Sequence, residues 1–127
     1  MKLLLVDDIA EQRWMFARAW DQPGWVTETL ESLPPPEEVW GYDLALYDFL
    51  LPEGDLGEHL RQVAKLGANR QPPVIVIFSD LPEYLLAPEI AHLQKQCGLE
   101  LHYVDKVDPP KKLARELLEL KTKCAHS

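Results

Sequence analysis

The sequence predicts an α/β domain in which a parallel five-stranded sheet lies between helices, and two observations predict it. Short apolar runs alternate along the chain with segments of helical spacing, five of each. The runs are apolar at successive positions, not at every second one, as strands covered on both faces are.

The first strand is Lys2–Val6, where Leu3-Leu4-Leu5-Val6 stops at Asp7-Asp8. The run is too short for a secretory leader, and the acids stand where an apolar segment would have to continue. Ala10–Trp20 carries Trp14, Met15, Ala17 and Ala19 at helical spacing, and Pro23-Gly24 punctuates the chain after it. Trp25–Leu30 alternates and contains β-branched residues, as an outer strand does. Pro34-Pro35-Pro36 confines the second helix to about Pro36–Trp40. Asp43–Tyr47 is the third strand and ends at Asp48.

Leu56–Leu66 places Leu56, Leu60, Val63 and Ala64 on one helix face, with Gly67 as its stop. Val74–Phe78 is five apolar residues rich in β-branching, a strand buried on both sides. The fourth helix is expected over Pro88–Cys97, with Pro88 at its first position and Gly98 just past its end. No element is assigned to Glu83–Ala87. Leu99–Val104 is the fifth strand, and Pro110–Lys123 an amphipathic helix with Leu113, Leu117, Leu118 and Leu120 inward.

The bulk properties narrow the function. A length of 127 residues, 46% hydrophobic and 27% charged, is that of one globular domain spanning 1–127, without repeats or a linker. No apolar run approaches the roughly 20 residues that cross a bilayer. A net charge of −8 opposes binding to nucleic acid or to anionic lipid, which leaves proteins as the expected partners. Cys97 and Cys124 have no metal-ligand spacing and fit a reducing, cytoplasmic compartment. His59, His92, His102 and His126 are scattered and read as surface or half-buried histidines, and the four tryptophans as core or cover.

In a doubly wound sheet the functional crevice lies beyond the carboxyl ends of the strands. Strand one ends in Asp7-Asp8, strand three in Asp48, strand four in Ser79-Asp80 and strand five in Asp105-Lys106. Clustered carboxylates repel, and a divalent cation relieves them; magnesium prefers such hard oxygen ligands. Lys106 then offers a fixed positive charge to a phosphoryl oxygen, Ser79 a hydroxyl, and one carboxylate a nucleophile that yields an acyl phosphate. Singly, Asp7-Asp8 also reads as a solvated turn or helix cap, and Lys106 as a surface lysine. Four strand ends with complementary chemistry favour the functional reading.

These residues resemble the receiver domain of two-component response regulators, of the single-domain CheY-like type. The likeness rests on Asp7-Asp8, Asp48 with Pro52 four residues on, Ser79 after an apolar strand, and Lys106 with Tyr103 three before it. It implies a flavodoxin-like strand order of 2-1-3-4-5 and phosphorylation of Asp48 by a histidine kinase or histidine phosphotransfer protein. It also implies Mg2+ held by Asp8, Asp48 and the backbone carbonyl of Leu50, with Asp7 acting largely through water. Ser79 and Lys106 would contact the phosphoryl group. Tyr103 would swing inward as Ser79 moves, remodelling a surface that a downstream protein reads.

The sequence departs from that pattern at Asp80, where a very small residue is usual, and at Val107, where proline is usual. A carboxylate at 80 would crowd the pocket, repel phosphate or pair with Lys106. With the extra acid Asp105, it supports an alternative, a phosphorylation-independent pseudo-receiver acting as a protein-binding module. A turnover enzyme is not expected. An aspartyl phosphatase needs an acid two residues after its nucleophile, where Leu50 stands, and a flavin carrier needs a phosphate loop where Asp7-Asp8 stands.

Overall fold

The computed structural model describes residues 1–20, 23–49, 55–67, 73–106 and 110–125, without the side chains of 110, 111, 124 and 125. In chain order the elements are β1 (Lys2–Val6), α1 (Ala10–Ala19), β2 (Val26–Leu30), α2 (Pro36–Val39), β3 (Leu44–Asp48), α3 (Leu56–Lys65), β4 (Val74–Ser79), α4 (Glu83–Cys97), β5 (Leu101–Asp105) and α5 (Pro110–Ala125). All strand pairs are parallel and the order is β2-β1-β3-β4-β5, as expected.

Successive strand side chains point to opposite faces, so a sheet covered on both sides needs an apolar residue at every position. Leu4, Val6, Ala45, Tyr47, Ile75, Ile77 and Leu101 face one way, against Val39 of α2, Leu60 and Val63 of α3, and Leu86, Ile90, Leu93 and Cys97 of α4. Leu3, Leu5, Leu44, Leu46, Val74, Val76, Phe78 and Val104 face the other way, against Phe16 and Trp20 of α1 and Leu113, Ala114 and Leu117 of α5. Leu118 and Leu120 lie at the margin of that second core, half-buried. β2 is an outer strand, as β5 is at the other edge, and its Val26 is 54% exposed.

α1 turns a different side to the sheet than its list of apolar residues suggested. Phe16 and Trp20 are inward and stack with ring centroids 6.0 Å apart, whereas Trp14 and Met15 are more than half exposed. Trp14 is neither core nor cover: the Arg18 guanidinium lies 4.7 Å from the centre of its ring, a solvent-side cation–π contact. Trp40 covers α3, donating its indole N–H to the Val63 carbonyl at 2.9 Å. Gly67 meets this indole so closely that a β-carbon there would collide with it.

α4 begins five residues before the expected Pro88, at Glu83, and carries Pro88 inside the helix. An internal proline forgoes the bond to the carbonyl four residues back, here Tyr84, whose side chain is 77% exposed and whose turn is open to water. The cost is offset because the buried stripe Leu86, Ile90, Leu93 and Cys97 starts ahead of the proline. Gly98 ends the helix in the left-handed region, φ 76°, and donates to Gln94 O at 2.8 Å. β5 begins at Leu101 and not Leu99: Leu99 N–H is turned back to Cys97 Sγ, and the register with β4 starts at Ile75 and Leu101.

Candidate functional site

Because every strand runs the same way, the chain leaves all of them at one edge. β1 delivers Asp7 and Asp8 there, β3 Asp48, β4 Ser79, and β5 Asp105 and Lys106. In the sheet register Asp48 lies beside Phe78 and Ser79 beside Asp105. Asp7, Asp8, Asp48, Ser79 and Lys106 thus stand at one edge of the sheet.

Asp7 is fully buried, and its two carboxylate oxygens have separate duties. Oδ1 accepts from Ile9 N–H at 3.0 Å, closing the turn into α1, and Oδ2 accepts from Lys106 Nζ at 2.7 Å. The backbone carbonyl of Asp7 accepts from Arg13 Nη1 at 2.7 Å. Lys106 Nζ also lies 3.3 Å from Asp48 Oδ2 and 5.6 Å from the centre of the Phe78 ring. Asp7, Asp8 and Asp48 each offer a carboxylate oxygen, all within 4.8 Å of one another, with Asp8 on the exposed side. Three clustered carboxylates share one ammonium, and the donors are all hard oxygens. This donor set fits Mg2+.

Ser79 is buried, its Oγ accepting from Leu81 N–H at 3.1 Å and its carbonyl accepting from Lys106 N–H at 2.9 Å. The backbone of the lysine is therefore fixed by the strand that carries the hydroxyl. Tyr103 is half-buried, and its hydroxyl donates to the carbonyl of Leu81, with Ser79 O at 3.5 Å. The aromatic on β5 is thus tied to the short loop that follows the hydroxyl residue. Asp80 is exposed and is not among the three clustered carboxylates. Leu50, Pro52 and Val107 lie outside the described residues.

Two polar contacts were not read from the sequence. Gln12 Oε1 accepts from Lys106 Nζ at 2.6 Å; its only signal is that Gln12 lies four residues before Phe16, on the inward side of α1. His59, expected at the surface or half-buried, is 7% exposed and lies 3.0 Å from the hydroxyl of fully buried Tyr47, the residue before Asp48. Burial lowers the His59 pKa to about 4 and pushes the Tyr47 phenol up, so both are neutral near neutral pH. A lone histidine on a helix gives no hint of a phenol opposite.

No protein-family model matches the sequence, and no curated protein does. Solved structures match closely in shape. A CheY-like response regulator receiver domain protein from Methanospirillum hungatei JF-1 superposes with a TM-score of 0.71 at 18% identity, over 98% of this chain and 96% of that one. The N-terminal domain of a response regulator/sensory box/GGDEF three-domain protein from Carboxydothermus hydrogenoformans gives 0.72 at 21% identity, over 99% and 97%. An atypical orphan response regulator, described as having a phosphorylation-independent regulatory mechanism, gives 0.67 at 21% identity over 96% of each chain. The strand order, the helices on both faces and these superpositions agree: the chain has the fold of CheY-like response-regulator receiver domains.

Proposed function

We propose that this chain is a phosphoacceptor receiver of a two-component phosphorelay, taking a phosphoryl group on Asp48 from a histidine kinase or histidine phosphotransfer protein. The observation that carries the reading is the ammonium of Lys106, 3.3 Å from Asp48 and 2.7 Å from Asp7 at the carboxyl edge of a parallel sheet. An Asp48 carboxylate oxygen attacks the phosphorus of a phosphohistidine; the new O–P bond forms as the N–P bond breaks, and the electron pair leaves with the imidazole. Lys106 neutralises charge on the phosphoryl oxygens, and the Ser79 hydroxyl turns from Leu81 N–H to donate to one of them. Asp7, Asp8, Asp48 and the carbonyl of Leu50 would hold Mg2+, which supplies positive charge to the phosphoryl oxygens.

Tyr103 carries the change outward. When Ser79 turns to the phosphoryl group, the Leu81 carbonyl that holds the tyrosine hydroxyl shifts with its loop, which frees the ring to move inward. A downstream protein reads the altered surface, and the chain turns over no substrate. The net charge of −8 sets it against nucleic acid, and no helix among the described residues is long and apolar enough to cross a membrane. A cytoplasmic setting follows from the kinase partner.

The second reading is a phosphorylation-independent binding module, as the orphan regulator of the same fold is described. The exposed position of Asp80 weighs against it, because that carboxylate does not join the acid cluster. Incubation with a small phosphodonor such as phosphoramidate separates the two. Wild type with magnesium takes up one phosphoryl group per chain; Asp48→Asn, or wild type with a chelator, takes up none. Equal uptake by Asp48→Asn, or no uptake by wild type, would reject the phosphoacceptor reading.

A further inference from the structure

Gln12, Phe16 and Trp20 recur every four residues along α1 and so share one side of the helix. Phe16 and Trp20 are buried against the sheet, while Gln12 is half-buried in the turn of α1 nearest the acid cluster. An ammonium donates and cannot accept, so the contact at 2.6 Å is made through the amide oxygen. Lys106 Nζ donates to Gln12 Oε1 at 2.6 Å and to Asp7 Oδ2 at 2.7 Å, and lies 3.3 Å from Asp48 Oδ2 as an ion pair.

The longest of the three contacts is to a carboxylate and the shortest to a neutral amide. Charge alone would draw the ammonium toward a carboxylate and not toward a neutral amide. Asp7 cannot follow the cation, because its other oxygen is held by Ile9 N–H and its side chain is fully buried.

On the reading of Asp48 as phosphoacceptor, we propose that Gln12 is a positioning residue of this site, fixing the Lys106 ammonium 3.3 Å from Asp48 with one N–H beyond those given to Gln12 and Asp7. The arrangement has one consequence. The third N–H meets a phosphoryl oxygen arriving on Asp48 without loss of the other two bonds, so little reorganisation is needed in the transition state.

Two variants of similar length and helix preference separate positioning from mere support: Gln12→Met removes the acceptor, and Gln12→Glu keeps one. Nitrogen-15 NMR of the Lys106 ammonium in magnesium-free buffer reads the hold on it without metal or phosphate. Hydrogen exchange with water is expected to be slow in wild type, about fivefold faster in Gln12→Met, and no faster than wild type in Gln12→Glu. With saturating magnesium, Gln12→Met lowers the limiting rate of phosphoryl uptake from phosphoramidate by about fivefold and leaves the half-saturating donor concentration unchanged. Equal ammonium exchange in wild type and Gln12→Met overturns the proposal, as does faster exchange with an unchanged limiting rate. If wild type takes up no phosphoryl group while Gln12→Met still loosens the ammonium, the phosphoacceptor reading falls and the hold of Gln12 on Lys106 stands.

Discussion

Lys106→Met is expected to lower the unfolding free energy by about 3 kcal/mol in magnesium-free buffer and to reduce phosphoryl uptake below detection. The reason lies in what the ammonium leaves behind. Asp7 is fully buried and depends on Lys106 Nζ at 2.7 Å for its counter-charge, and Asp8 and Asp48 bring two more carboxylates within 4.8 Å. Methionine fills the volume of the lysine stem but returns no charge, so the cluster is left with an uncompensated buried anion. If the folded cluster holds magnesium as proposed, the ion should raise the midpoint of both proteins, and by more in the variant. Urea unfolding of both proteins with and without magnesium measures this. An unchanged midpoint in the variant would mean that the lysine is an ordinary surface cation.

The second large effect comes from His59. Its folded pKa of about 4 lies below the usual 6.5, so between these values the unfolded chain binds the extra proton. Stability from this residue is therefore complete above about pH 6.5 and is lost as pH falls toward 4. Discounted for solvent screening, the loss is on the order of 2 kcal/mol. His59→Leu alone should cost about 2 kcal/mol at neutral pH, because it strands the buried Tyr47 hydroxyl. The double variant Tyr47→Phe with His59→Leu removes both polar groups and should regain most of that, with a shallower acid slope than wild type. Unfolding curves from pH 7 to 4 on wild type and both variants check this; parallel slopes in wild type and double variant would contradict it.

The sheet was legible because its physics is simple. A strand buried on both faces has no room for a polar residue, so Leu3–Val6, Leu44–Tyr47 and Val74–Phe78 announce themselves, and the acids that follow them mark the edge. The helices were less legible. α1 has apolar residues on several sides, and only packing against the sheet selects Phe16 and Trp20 over Trp14 and Met15. The start of α4 was misplaced because proline usually opens a helix, whereas here burial of Leu86 ahead of Pro88 outweighs one missing backbone bond.

The same division holds at the site. Asp7, Asp8, Asp48, Ser79 and Lys106 could be found because each ends or directly follows a strand. Gln12 could not: a glutamine in an exposed-looking helix turn reads as solvated, and its partner is 94 residues away. His59 and Tyr47 were hidden for the same reason, since only α3 folding back over β3 makes them neighbours. Long-range polar pairs are where a single sequence is weakest, and two of them flank the proposed phosphoacceptor.

The central claim is that the carboxylate at the end of β3 becomes an acyl phosphate. Reduction with labelled borohydride converts an aspartyl phosphate to homoserine and so marks the residue that carried the phosphoryl group. After exposure to phosphoramidate and magnesium, the label should appear as homoserine at position 48 alone and vanish when magnesium is chelated; label at Asp7, Asp8 or Asp105, or none at all, would contradict the account.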